Sequence, residues 1–157
     1  MKLDRTDKRI LEEMQRNGRI TNQELAEKVG LSPSPCLRRV RQLEEAGIID
    51  RHVTILNLSK LGLKLTAQIQ ISMDRHTPER FENFEAQVKT FPEVVECLLI
   101  TGQAADYTLK VVVPDMEYYQ EFLLGKLTRI EGVAGVHSSF VMRRVVDTTE
   151  VSLAHIR

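Results

Sequence analysis

A basic run that also contains glutamine is the part of this sequence best suited to recognition chemistry. Residues 28–41 carry four cationic side chains and no acidic one, and Gln42 follows directly. Arginine can bind guanine through two hydrogen bonds, glutamine can bind adenine in the same way, and further cations can neutralise phosphates. We therefore predict DNA contacts from the basic and polar side chains of this region, namely Lys28, Ser32, Ser34, Arg38, Arg39, Arg41 and Gln42.

Helical periodicity divides this region into a polar and an apolar face. At about 100° per residue, the polar side chains lie roughly opposite an apolar stripe. The stripe consists of Cys36, Leu37, Val40 and Leu43. We expect Arg38 and Gln42 to contact bases, and Lys28 and Arg39 mainly to hold phosphates. A solvated charged face on an ordinary helical hairpin is the alternative interpretation.

Start and stop signals predict the two short helices that would position this face. Thr21 and Glu24 form a capping box, and Gly30 follows at a position typical of a helix end. Ser34 followed by Pro35 predicts the start of the second helix. Two short helices joined by a tight turn, with a basic face on the second, indicate a helix-turn-helix that can enter a major groove.

An earlier helix completes the predicted N-terminal domain. Asp4 is a candidate N-cap, Asp7 lies in the first turn, and an apolar stripe follows. Residues 48–56 have the composition of an extended segment. We predict a helix-turn-helix DNA-binding domain over residues 1–56 and a linker over residues 57–62.

The second half of the chain changes its hydrophobic period from helical to alternating. Every odd position in residues 63–73 is apolar and every even position is polar, which predicts a strand with one buried face. Further patterns predict a helix from Thr77, strands near residues 94–101 and 107–113, a helix from Pro114 and a last strand over residues 136–146. The order β-α-β-β-α-β predicts an α+β chain in which residues 63–157 form a ferredoxin-like domain.

The predicted sheet has more apolar side chains than two helices can cover. The candidates for a second apolar face are Val95, Leu99, Val112, Val141 and Val145. Exposed β surface of this kind is often covered by another subunit, so we predict a homodimer formed through the C-terminal sheet.

Composition and cysteine spacing exclude several classes of protein. The chain has 157 residues, 42% of them hydrophobic, and contains neither a long apolar run nor an apolar N-terminal segment, so we expect a folded cytoplasmic protein. Cys36 and Cys97 suggest neither a zinc site nor a redox pair. His137 and Ser138 lack the context of a hydrolase, so we expect no enzymatic activity, no metal and no cofactor.

In its order of motifs, the chain resembles the leucine-responsive regulator/asparagine regulator (Lrp/AsnC) family of transcription regulators. The resemblance covers essentially all of the chain and is carried by four segments: LSPSPCLRRVRQLEEAGII (residues 31–49), NLSKLGL (57–63), TGQAADYTLKVVVPDM (101–116) and, following it, GVAGVHSSFVM (132–142). It implies a DNA-binding regulator whose C-terminal domain, called RAM, assembles dimers and larger rings such as tetramers or octamers. It also implies that a small amino acid binds to that domain.

The resemblance further implies an effector site at the turn before the third strand. Family effector pockets use this turn and the first half of the last strand, which correspond here to Gly102, Asp106 and Ser138. The turn encloses three residues between Gly102 and Asp106, whereas two are usual in the family. Asp106 could also simply cap the turn with its carboxylate.

Three functions are consistent with these features. The first is a sequence-specific transcription regulator that responds to an amino acid. The second is a ligand-sensing regulatory subunit of a metabolic enzyme, although such a subunit has no use for the basic face. The third is an architectural protein that binds double-stranded DNA without an effector.

Overall fold

The chain forms two compact units in a computed structural model that describes residues 1–102 and 104–156. The first unit comprises residues 1–55 and 146–156, and the second comprises residues 56–145. Gln103, which lies within the predicted effector turn, is outside the described residues. Among the described residues, no helix is both long enough and apolar enough to cross a membrane.

The first unit is built from three helices whose predicted caps are largely present. They are α1 (Arg5–Arg16), α2 (Asn22–Val29) and α3 (Pro33–Glu45). At the start of α1, the side chain of Asp4 accepts the backbone N–H of Asp7, and Asp7 accepts that of Asp4 in return. The predicted capping box of Thr21 and Glu24 is formed in the same reciprocal way.

The helix α3, which carries the predicted DNA-binding face, begins earlier than the sequence predicted. Ser32 is its N-cap and Pro33 its first residue, whereas we expected these roles for Ser34 and Pro35. Both prolines fit within the first turn because the first four N–H groups of a helix have no partner within it. The first helical bond of α3 runs from the N–H of Cys36 to the carbonyl of Ser32, at 3.2 Å.

The C-terminal segment belongs to the first unit, so the range predicted for the second domain, residues 63–157, is too long. Leu153 is 7% exposed and lies in the same apolar cluster as Ile10 and Leu11 of α1. The side-chain amide of Gln15 holds the segment as well, accepting from the N–H of Val151 (2.7 Å) and donating to its carbonyl (3.1 Å). The segment packs on α1 because Leu153 is buried there and because the N–H and carbonyl of Val151 are both hydrogen-bonded by Gln15.

The second unit has the predicted β-α-β-β-α-β order. Its elements are β1 (Leu65–Met73), α4 (Pro78–Val88), β2 (Val94–Leu99), β3 (Tyr107–Val113), α5 (Met116–Gly125) and β4 (Val133–Phe140). The four strands form one antiparallel sheet in the order β2-β3-β1-β4. Alternate residues of β1 pack with Phe84 of α4 and Phe122 of α5 in a single core.

The predicted bounds of the last strand need correction, and the segment after α3 is unpaired. The strand β4 is Val133–Phe140, whereas residues 136–146 were predicted. It ends there because its partner β1 begins at Leu65, and among the described residues the last bond of this ladder runs from the N–H of Val141 to the carbonyl of Thr66. Residues 50–57 form neither a helix nor a paired strand, and the extended conformation expected for residues 48–56 stays a prediction.

The sheet face away from the helices is more polar than predicted. Leu99 pairs with Tyr107, a core residue, and therefore lies on the helix side of the sheet. Val112 is buried rather than exposed. By register and alternation, two mainly polar rows cross the far face: Glu96, Lys110, Gln68 and Ser139, and beside them Leu98, Thr108, Gln70 and His137.

Candidate nucleic-acid interface and effector turn

The outer face of α3 forms a shallow hollow with unpaired polar side chains. The hollow has a volume of about 340 Å³ and is lined by Ser34, Leu37, Arg38, Arg41, Gln42 and Glu45. Within the part of the chain that the structure describes, the side chains of Arg38, Arg41 and Gln42 form no hydrogen bond or ion pair. These exposed donors are therefore free to bind a ligand, as predicted from the sequence.

Leu37 lies on this outer face and not in the apolar stripe where we expected it. Its side chain is 39% exposed, whereas Cys36 and Leu43 are fully buried. Helical geometry gives the reason: Leu37 lies about 40° around the axis from Arg41 but about 120° from Leu43. The apolar cluster of the first unit contains Val40 but not Leu37.

Arg39, which we predicted to hold phosphate, is bound within the unit in the structure without DNA. Its guanidinium Nη1 lies 2.7 Å from Asp4 Oδ2 and 2.7 Å from Asp7 Oδ1. The hydrogen bonds to Asp4 and Asp7 raise the pKa of Arg39. The N–H of Asp7, followed by Arg39, lowers the pKa of Asp4. Arg39 therefore joins α3 to the start of α1, and its charge is already neutralised within the unit.

Lys28 and Ser32 lie at the surface near the turn between α2 and α3. The Nζ of Lys28 is 3.0 Å from Glu13 Oε2, and this bond lowers the pKa of Glu13. The lysine remains more than half exposed, and surface ion pairs of this kind contribute little free energy, so Lys28 could exchange Glu13 for a phosphate. Ser32 is exposed and its hydroxyl forms no capping bond.

Two residues that support the recognition helix had no signal in the sequence. Arg9 of α1 donates to the carbonyls of Lys28 (2.7 Å) and Val29 (3.3 Å), at the C-terminal end of α2 where a cation is favoured. The Nδ2 of Asn22 donates to the carbonyl of Pro33 at 2.9 Å. These contacts join consecutive helices and depend on tertiary packing.

At the predicted effector turn, the carboxylate of Asp106 already has two partners. Its Oδ2 accepts the backbone N–H of Met73 at 2.7 Å, and its Oδ1 lies 2.9 Å from Nε2 of His76. The backbone of Asp106 also bonds to Ile71 and to Ile100. Asp106 therefore ties β1 to β3, and His76, which sequence analysis left without a role, lies directly against it.

The other two predicted effector residues do not meet Asp106 at one point within the chain. Ser138 hydrogen-bonds the hydroxyl of Tyr119 on the helix side of the sheet. Ser138 belongs to β4, where it pairs with Ile69 of β1, whereas Asp106 lies next to β3 on the other side of β1. Strand spacing alone therefore separates Ser138 from Asp106 by about 10 Å. Gly102 is exposed, and an added Cβ would meet no atom within 4 Å.

Comparison with known proteins identifies the family. The model of a winged helix-turn-helix DNA-binding domain matches residues 3–50, and the model of the Lrp/AsnC ligand-binding domain matches residues 66–151. The leucine-responsive regulatory protein of Salmonella typhimurium is 44% identical over 143 residues, which cover 91% of this chain and 87% of that protein.

Solved structures agree with this result. A transcriptional regulator from Neisseria meningitidis, solved in complex with L-Met, superposes with a TM-score of 0.95 at 42% identity, covering 99% of this chain and all of that one. An AsnC family regulator from Agrobacterium tumefaciens gives a TM-score of 0.92 at 38% identity, with the same coverage. By sequence over both units and by fold over almost its whole length, the chain belongs to the Lrp/AsnC family.

Proposed function

We propose that this protein is a transcription regulator that binds specific DNA through α3 and responds to a small amino acid bound by its second unit. The observation that carries the DNA-binding half is the group of unpaired side chains on α3, Arg38, Arg41 and Gln42. A regulatory subunit of an enzyme has no use for such a face. Because its relatives are named as regulators, we also propose that the protein has no catalytic role and acts in the cytoplasm, with DNA.

The recognition helix supplies both kinds of contact that specific binding requires. Arg38 and Gln42 would contact base edges, while Arg41 and Lys28 would hold phosphates on either side. The N-cap hydroxyl of Ser32 and the first-turn hydroxyl of Ser34 are further donors at the end of the helix that enters the groove. We leave Arg39 out of this set because its guanidinium is bound by two carboxylates, those of Asp4 and Asp7.

Direct titration would test DNA binding. Arg41→Ala should weaken binding to specific and random duplexes alike and reduce the slope of log K against log salt by about 0.9. Arg129→Ala is the control, because Arg129 is an exposed arginine that lies in the second unit and not in the helix-turn-helix. Equal losses for the two variants would contradict a role for the α3 face.

The effector would bind at a boundary between subunits near Gly102, Asp106 and Ser138. An amino acid needs donors for its carboxylate and an acceptor for its ammonium group. The turn at Gly102 and the hydroxyl of Ser138 can supply the donors, and Asp106 can supply the acceptor. Because β1 separates Ser138 from Asp106 within one chain, we propose that a neighbouring protomer supplies Ser138.

The proposed site requires self-association, which we propose occurs through the second unit. Several large apolar side chains of this unit are exposed: Val95, Leu98, Leu99, Leu124 and Phe140. Burial of such side chains is the main driving force for association. We expect a homodimer or a larger assembly, such as a tetramer or octamer. A monomer in light scattering at micromolar concentration would exclude a shared effector site.

Calorimetry tests the effector, with L-Met and L-Leu as the first ligands. Asp106→Asn keeps an oxygen for the N–H of Met73 but removes the charge, so it should abolish amino-acid binding and leave DNA binding without effector intact. If this variant bound the amino acid with unchanged affinity, the pocket would have to lie elsewhere. The second candidate, an effector-independent architectural protein, is favoured by the two existing partners of the Asp106 carboxylate, and it would take precedence if none of the twenty amino acids bound.

A further inference from the structure

We propose that Leu37 recognises the 5-methyl group of thymine in the major groove, an inference that rests on the proposed binding of α3 to DNA. Leu37 is the one apolar side chain among the six that line the hollow on the outer face of α3. Its neighbours there are the unpaired groups that would contact bases and phosphates.

The position of Leu37 on the helix puts it within reach of the bases. Residues three and four apart on a helix are adjacent at the surface, with Cβ atoms about 5–6 Å apart. Ser34 and Arg41 are therefore the direct neighbours of Leu37, before and after it on the same face. Any placement of α3 that brings Ser34 and Arg41 to the DNA also brings Leu37 there.

Leu37 is not required by the core of the first unit. It is absent from the apolar cluster that Cys36, Val40 and Leu43 join from the same helix. An isolated exposed leucine is common on protein surfaces. What distinguishes Leu37 is that DNA binding would necessarily bury it, since it lies between groups that face the groove.

The chemistry of the groove then determines what Leu37 can bind. The major-groove edges of guanine, adenine and cytosine present hydrogen-bonding groups, and the apolar feature is the methyl group of thymine. A leucine placed against a polar base edge would remove water from groups that it cannot bond. A leucine placed against a thymine methyl would bury apolar surface on both partners. Leu37 therefore favours a T·A pair at one position of each half-site.

Uracil provides a test that changes one methyl group and no hydrogen bond. Duplexes would first be selected from a random library with the full-length protein, and each thymine of the selected sequence would then be replaced singly by uracil. Affinities would be measured by fluorescence anisotropy at one salt concentration. For the wild-type protein, we expect one position per half-site at which uracil weakens binding about fourfold, the value for one buried methyl group.

The variants assign that effect to Leu37. In Leu37→Ala, thymine and uracil at the sensitive position should bind equally, whereas Leu37→Met should keep the difference. Both variants should unfold at the wild-type denaturant concentration, because Leu37 is outside the core. Equal uracil effects in wild type and Leu37→Ala, or no sensitive position in the wild type, would overturn the assignment while leaving DNA binding established. Failure to select any duplex would instead contradict the proposed function itself.

Discussion

Removing the guanidinium of Arg39 should destabilise the first unit and leave DNA binding by the remaining folded protein unchanged. Arg39 bridges Asp4 and Asp7 at 2.7 Å each, and the side chain of Asp7 is only 5% exposed. In Arg39→Ala, the buried carboxylate of Asp7 keeps its bond from the N–H of Asp4 but loses its cationic partner. The variant therefore tests whether an arginine on a recognition helix serves the fold and not the ligand.

The expected magnitude follows from the burial of the two groups. Removing one partner of a fully buried ion pair costs about 3–5 kcal/mol. Arg39 is 30% exposed, so water can partly replace it around Asp7, and the cost should fall to about 2–3 kcal/mol. For a unit of this size, such a loss lowers the melting temperature by about 10–20 °C.

Thermal unfolding followed by circular dichroism measures this loss, with Arg41→Ala as the matched control. Arg41 is an exposed arginine of the same helix, two residues further on, and its replacement should change stability by less than about 0.5 kcal/mol. A cycle with Asp7→Asn assigns the energy: once the charge of Asp7 is gone, Arg39→Ala should cost less than about 1 kcal/mol more.

DNA titration supplies the result that would refute this reasoning. Below the unfolding transition, Arg39→Ala should keep the salt slope of the wild type, whereas Arg41→Ala should lose about 0.9 from it. If Arg39→Ala lost the same slope and kept its melting temperature, Arg39 would hold phosphate, as its position in the sequence first suggested.

Three further outcomes are expected. Arg38→Ala should cost about 1–3 kcal/mol on a specific site and reduce discrimination between sequences in competition titrations, whereas equal losses on random DNA would contradict base contact. Leu153→Ala should lower the unfolding free energy of the first unit by about 2 kcal/mol in urea, against less than about 0.5 for exposed Val151→Ala. Burial alone would raise the pKa of Glu93, but the hydrogen bond from Lys126 and other hydrogen bonds lower it by more. The pKa therefore lies below its ordinary value of 4.5. This carboxylate should therefore add stability above that pH and lose it as the pH falls through its lowered pKa; Glu93→Gln should flatten that acid limb in urea unfolding.

Local signals explain why the helices and the strand order were predictable from the sequence. The capping boxes at Asp4 and Thr21 and the left-handed Gly30 use residues within four positions of one another. The alternation in β1 is equally local, and its odd positions are buried as expected from residue 67 onward. Where two competing signals lay side by side, as in the Ser-Pro repeat at the start of α3, sequence alone selected the wrong one.

The features that sequence could not predict depend on partners that are distant along the chain. Arg39 is paired with carboxylates more than thirty residues away, and Leu153 is buried against a helix near the other end of the chain. The partners of Asp106, Met73 and His76, are about thirty residues earlier. No period or spacing records such pairs. Leu37 was grouped with the core although helical spacing places it at the edge of the stripe, about 120° from Leu43, because spacing alone does not indicate how wide a stripe the neighbouring helices cover.

The pairing of Arg39 has a consequence for how the protein must bind DNA. Of the four cations between residues 28 and 41, one is neutralised inside the unit and Lys28 must first exchange Glu13. With Arg38 assigned to a base, Arg41 and Lys28 are the phosphate contacts left in this region, and two contacts give a salt slope of only about −2. Non-specific affinity rises with the number of phosphates neutralised, so a single recognition helix of this composition binds weakly at physiological salt. When two protomers associate, their two DNA-binding units would together double the salt slope. Binding of the second unit to DNA would then be an intramolecular step. We therefore expect tight DNA binding to depend on self-association, independently of any shared effector site.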